Sequence, residues 1–301
     1  MANQARPPEH TDDLCSVLRK YLRQGTNLGV AIPVLEGHVA SLKKGEQFRG
    51  LTEKEIKRRF RELSSRYFNS DYHPAYLNKA LTRYLVASAE RYQFRQDLVR
   101  GVSVSTLEEL SEELIESLRA AFEARRAIIN ELEQTKSRPV ADQYELIEGY
   151  LKQFGGTRGE MFEVVSFAVL REYFRTFGFS LQRFSTTHAN DGGMDFVGGE
   201  AIYQVSTDEG LQKLRRDLAK APGIKRVLVR PNALPNPPGA PHETVLEVIE
   251  LKDLLGHFVN WLMERDERSR QPAHAGRVLE AAIAEFRREM RAETGEPDLP
   301  N

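Results

Sequence analysis

Two short runs hold oxygen donors at a spacing that could do chemistry. They are Asn190-Asp191-Gly192-Gly193-Met194-Asp195 and, nine positions after Asp195, Gln204-Val205-Ser206. Carboxylate, amide and backbone carbonyl oxygens are hard ligands of the kind magnesium accepts. Asp-Gly-Gly is also a common hairpin turn, so Asp195 can be read as a turn residue. Against that, Asp191-Gly192-Gly193 already satisfies the turn, and Asp195 follows it at the head of an apolar strand; Asp191 itself reads equally as a turn former or as a supporting carboxylate. A strand alternates its faces, so if Gln204 points to a site then Ser206 does too, while Tyr203 and Val205 point into the opposite layer. A lone glutamine in a strand usually faces solvent, and only its place after Asp195 singles this one out. A third acid stands upstream. In Met161–Leu170 the only polar residues are Glu163 and Ser166, one helical turn apart on an otherwise apolar helix. A carboxylate there either needs a partner or a metal, or lies at the rim in the favourable field of the helix N-terminus.

Other chemistries lack their residues. The remaining histidines have no His-x-His or His-x3-His spacing for zinc, and no Gly-x4-Gly-Lys-Ser/Thr loop is present for nucleotide phosphates. Cys15 is the only cysteine, so no intrachain disulfide forms. The opening residues carry no apolar run for a secretory leader, and no stretch approaches the ~18 apolar residues of a membrane span. The expectation is a soluble cytoplasmic protein without membrane contact.

The elements that must position these groups fall into an all-helical first part and a mixed second part. Asp12–Arg23, Thr52–Phe68 and Pro74–Arg95 mix apolar and charged positions at helical spacing. A leucine stripe runs from Thr106 to about Gln134, where Thr106 and Glu109 have capping-box spacing. Breaks at Ser137-Arg138-Pro139 and Gly155-Gly156-Thr157 place a boundary near 150, giving a helical domain 1–150, a mixed domain 151–268 and a C-terminal amphipathic helix with tail 269–301. In the mixed domain Thr157 and Glu160 open a helix from Arg158 to Phe177. Strands are expected at Ser180–Phe184, Met194–Val197, Ala201–Thr207, Lys225–Arg230 and Thr244–Leu251, with a basic helix at Gly210–Ala221 and another helix at Lys252–Glu264.

In this order, Arg158-Gly-Glu-Met-Phe-Glu163 on a helix, a strand, Asn190-Asp-Gly-Gly-Met-Asp195 and Ile202-Tyr-Gln-Val-Ser206 resemble the Mrr-like, type II branch of the restriction-endonuclease-like PD-(D/E)xK superfamily. The likeness covers about 50 of 301 residues. It implies an α/β fold with a mixed-sheet αβββαβ core and a magnesium-dependent endonuclease acting on double-stranded DNA in the type II manner. By the same resemblance Asp195, Gln204 and the Val205 carbonyl hold the metal, with Glu163 nearby. A hard cation is suited to this reaction because negative charge develops on the phosphorus oxygens and the leaving group. The family pattern carries lysine at position 206, where this chain has serine, which cannot supply positive charge. Either Lys213 or Lys220 on the following helix reaches in, or a second metal takes the role, or the site no longer cleaves and the fold serves as a DNA- or protein-binding module.

Charge is segregated although the net value is -1. Leu42–Arg100 carries +7 and Gly101–Tyr150 carries -6. Lys57, Arg58, Arg59 and Arg61 cluster on one helix among aromatics and form a candidate DNA-backbone surface, or a solvated basic helix. His188 and Asn190, in the loop before Asp195, either touch DNA or are ordinary loop residues. The acidic leucine-striped helix suits packing within its own domain or a homodimer contact.

Overall fold

A computed structural model describes residues 28–68, 85–88, 90–153, 159–183, 195–207, 224–232 and 245–292. The chain divides into two compact units, one of residues 1–124 with 290–301 and the other of 125–289.

The first unit holds α1 (Leu28–Lys43), β1 (Leu51–Thr52), α2 (Glu53–Phe68), β2 (Leu85–Ser88), β3 (Arg91–Phe94), the short α3 (Gln96–Val99) and the first two-thirds of α4 (Val104–Thr135). α1 is apolar nearly all round, and Val30, Ile32, Val34 and Leu35 are buried accordingly. On α2, Ile56, Phe60 and Leu63 recur at helical spacing and fill the same core, which α4 completes with Leu107, Leu110, Leu114 and Leu118. α2 starts at a true capping box. The Thr52 N–H donates to Glu55 Oε2 at 2.7 Å, and the Glu55 N–H donates to Thr52 Oγ1 at 3.2 Å. α4 begins earlier than Thr106 suggests, because Ser103 Oγ accepts the Thr106 N–H at 3.1 Å and caps the helix instead.

The all-helical expectation fails for this unit. β1, β3 and β2 form an antiparallel sheet in that order. Part of the segment expected as the helix Pro74–Arg95 is therefore a hairpin. Its strands are four residues long, too short for a period-two pattern to stand out, and its turn is made by Glu90 at φ 60° rather than by a glycine or asparagine. Gly50 enters β1 at φ 78°, where an added Cβ would lie 2.8 Å from the Tyr92 carbonyl oxygen of β3.

The second unit is mixed α/β. It contains the end of α4, α5 (Val140–Lys152), α6 (Gly159–Arg175), β4 (Gln182–Arg183), β5 (Phe196–Gly198), β6 (Ala201–Val205), β7 (Arg226–Arg230) and β8 (Val245–Glu250). There follow α7 (Leu251–Asp253), a π-helical stretch (Leu254–Val259), α8 (Asn260–Arg268) and α9 (His274–Ala292). The five strands form one sheet in sequence order, antiparallel from β4 to β6 and parallel from β6 to β8. All five sequence-expected strands of this part are present and shorter than expected, and β5 runs Phe196–Gly198 where Met194–Val197 was expected. The expected basic helix at 210–221 lies outside the described residues.

The domain boundary falls within α4 rather than near 150, since α5 contributes buried Tyr144, Ile147 and Leu151 to the second unit. The expected separate segment 269–301 is likewise corrected, because α9 buries Val278, Leu279, Ile283 and Phe286. Two buried acids anchor α9. Asp266 accepts the N–H groups of Ala273, His274 and Ala275 within 2.9 Å, along with the Tyr144 hydroxyl at 2.9 Å, and so satisfies the helix's orphan donors. Glu172 on α6 meets Arg175, Arg277 and His274. Burial pushes the Glu172 carboxyl up, but hydrogen bonds from these three partners outweigh it and hold the group at about 2.

Candidate functional site

The hydrogen-bond alternation of β6 decides where each candidate points. Its Ile202 and Ser206 N–H groups donate to Lys225 and Val229 carbonyls on the β7 side at 3.1 Å. Tyr203 and Val205 therefore turn their backbone groups toward β5. β5 begins only at Phe196, opposite Tyr203, so the Val205 N–H lies beyond the strand's reach. Asp195 fills the gap. Its Oδ2 accepts the Val205 N–H at 2.5 Å, and its own N–H donates to the Tyr203 carbonyl at 3.2 Å. Asp195 is thus clipped to β6 by two bonds at the start of β5, and the Val205 carbonyl shares that edge.

Register then sorts the side chains between faces. Ile202 pairs with Arg226 and Gln204 with Leu228, while Val197 pairs with Ile202. One face therefore carries Val197, Ile202, Gln204, Arg226 and Leu228, and alternation adds Asp195, Ser206 and Arg230. The opposite face carries Phe196, Tyr203, Val205, Val227 and Val229. There Phe196 stacks on Tyr203 at 5.2 Å, and α6 packs through Phe167 against Phe196 and Phe174 against Tyr203.

Asp195 and Gln204 consequently lie on one face, as their spacing suggested. Gln204 is almost fully buried, and its Oε1 accepts a hydrogen bond from Arg226 Nη1 at 3.1 Å. Arg226 is completely buried and Arg230 nearly so. Sequence reasoning passed over these two guanidinium groups, although Arg226-Val-Leu-Val-Arg230 contained the signal. Two cations of equal parity in a strand otherwise fit for burial must share one face.

Glu163 belongs elsewhere. Its Oε1 accepts from Arg183 Nε at 3.0 Å and Nη2 at 2.6 Å. Arg183 pairs with Phe196 in register, which places it on the α6 face, away from Asp195 and Gln204. Arg183 also donates to Glu285 Oε2 of α9 at 3.3 Å, and Arg288 meets the same oxygen at 2.6 Å. The acid that looked like a third site residue is therefore the core of a buried ion network joining α6, β4 and α9. The rim alternative also fails, because Glu163 is only 8% exposed.

Ser206 sits on the Gln204 face, bonded through its N–H to β7. Lys213, Lys220, His188, Asn190 and Asp191 lie outside the described residues. Among the described residues no three His, Cys, Asp or Glu side chains gather as a metal cluster. In the first unit, Arg58 is exposed and Arg59 half-buried on α2. Lys57 pairs with Glu53 at 2.5 Å and Arg58 with Glu62 at 3.8 Å, both as surface pairs one turn apart. The backbone of Arg61 lies in α2. Among the described residues no helix is long and apolar enough to cross a membrane.

Comparison with family models, curated proteins and solved structures gives no match to this chain.

Proposed function

We propose that the second unit hydrolyses phosphodiester bonds in DNA with a divalent metal, in the manner of the restriction-endonuclease-like proteins its motifs resemble. The observation that carries this reading is the shared edge of β5 and β6, where the Asp195 carboxylate and Gln204 amide fall on one face of a five-stranded mixed sheet. The donors suit magnesium in kind. A carboxylate and an amide oxygen are both hard ligands of the kind this cation takes. Asp195, Gln204 and the Val205 carbonyl would hold the ion, which when bound polarises a phosphoryl oxygen and acidifies a water. The chain's own part is positional: the Val205 N–H fixes the carboxylate and Arg226 fixes the amide.

Purified protein with magnesium is expected to nick or cut duplex DNA, and Asp195→Ala to abolish this while DNA binding persists. Absence of cleavage by folded wild-type protein on both modified and unmodified duplexes would overturn the proposal.

One observation favours a second reading. The Gln204 oxygen already faces a buried guanidinium, an arrangement that suits anion binding as well as cation binding. On that reading the fold is a DNA-binding module that does not cleave, and its binding to duplex is insensitive to EDTA. Cleavage by the wild type excludes it.

A further inference from the structure

We infer that Arg226 is the positioning residue that supplies the positive charge missing from position 206. This rests on the metal-dependent nuclease reading above. Phosphodiester hydrolysis gathers negative charge on the phosphoryl oxygens, and a preorganised cation in a site shielded from water stabilises that charge strongly. Ser206 carries none. Arg226 occupies the adjacent strand, and the parallel register of β6 with β7 sets it on the same face as Gln204 and Ser206. Its side chain runs forward along the sheet from the level of Ile202 to reach the Gln204 amide at 3.1 Å. It is completely buried, so water screens its charge little. A lysine at position 206 would stand two residues beyond Gln204 on this face, whereas Arg226 stands two residues before its level on the next strand. Both positions therefore lie on the face that carries this amide.

The experiment measures single-turnover cleavage of duplex DNA by full-length protein with magnesium, together with thermal unfolding and DNA binding. Arg226→Gln is expected to lower the cleavage rate by about 10²–10³-fold, the usual effect of removing one charge-stabilising donor, with binding retained. Adding Ser206→Lys to Arg226→Gln restores at least tenfold of that loss, which a purely structural arginine would not allow. If Arg226→Gln does not fold, the charge-conserving Arg226→Lys decides, and it is expected to keep cleavage within about tenfold of wild type. Wild-type cleavage with an unaltered rate in folded Arg226→Gln, no rescue by Ser206→Lys, or loss of cleavage in folded Arg226→Lys overturns this inference and leaves the nuclease reading standing. A wild type that does not cleave overturns both.

Discussion

Replacing Arg183 with methionine keeps most of the side-chain volume and removes a cation that touches both Glu163 and Glu285. In the native protein its fork makes two bonds to Glu163 Oε1 and one to Glu285, with the guanidinium fully buried and the carboxylates 11% and 7% exposed. The variant takes this guanidinium from Glu163 and leaves Glu285 its bond from Arg288. Breaking a buried pair by removing one partner costs about 3–5 kcal/mol, because the remaining charge keeps its desolvation penalty. At about 2–4 °C per kcal/mol for a unit of this size, the unfolding midpoint should fall by roughly 6–20 °C. Circular dichroism melts at neutral pH measure this directly. Glu163→Gln is milder, about 1–3 kcal/mol, since an amide oxygen in place of Oε1 still accepts from the guanidinium while the negative charge is lost. Adding Glu163→Leu to Arg183→Met removes the acid that lost two guanidinium bonds and should recover part of the loss, so the two substitutions are non-additive. Below its melting temperature Glu163→Gln should cleave DNA as the wild type does. An Arg183→Met midpoint within two degrees or so of wild type would refute the stability argument. Loss of cleavage in a Glu163→Gln protein that melts normally would instead return Glu163 to the chemistry.

Acid should unfold the protein partly through Glu172. Its folded carboxyl sits at about 2, below the ordinary 4.5, so its contribution is complete above about pH 4.5 and is lost as pH falls toward 2. Urea midpoints measured across that window should fall less steeply for Glu172→Gln than for wild type, and parallel curves would exclude this role. Gln204→Glu places a carboxylate beside Arg226 and on the proposed metal edge, so magnesium affinity should rise about tenfold through added ligand charge. Titration calorimetry reads this, and an unchanged affinity would remove Gln204 from the ligand set.

Period-two alternation and antiparallel pairing act between adjacent strands, so the relation of Asp195 to Gln204 was legible from local spacing. The same rule would have identified Arg226, had the polarity of a strand framed by two arginines been weighed as heavily as its apolar centre. The hairpin in the first unit was not legible, because four-residue strands carry too little pattern and the Glu90 turn lacks the residue types that announce one. The reassignment of Glu163 has a different origin. A carboxylate on a buried helix face must find a cation, and the sequence shows that need without naming the partner. The partner is Arg183, twenty positions later, and only the pairing of β4 with β5 turns it toward α6 rather than away. A one-residue shift of that short strand would carry Arg183 to the Gln204 face and take its guanidinium away from Glu163. The ion network therefore specifies the register of β4 as well as being positioned by it, which gives a two-residue strand a reason to hold one alignment.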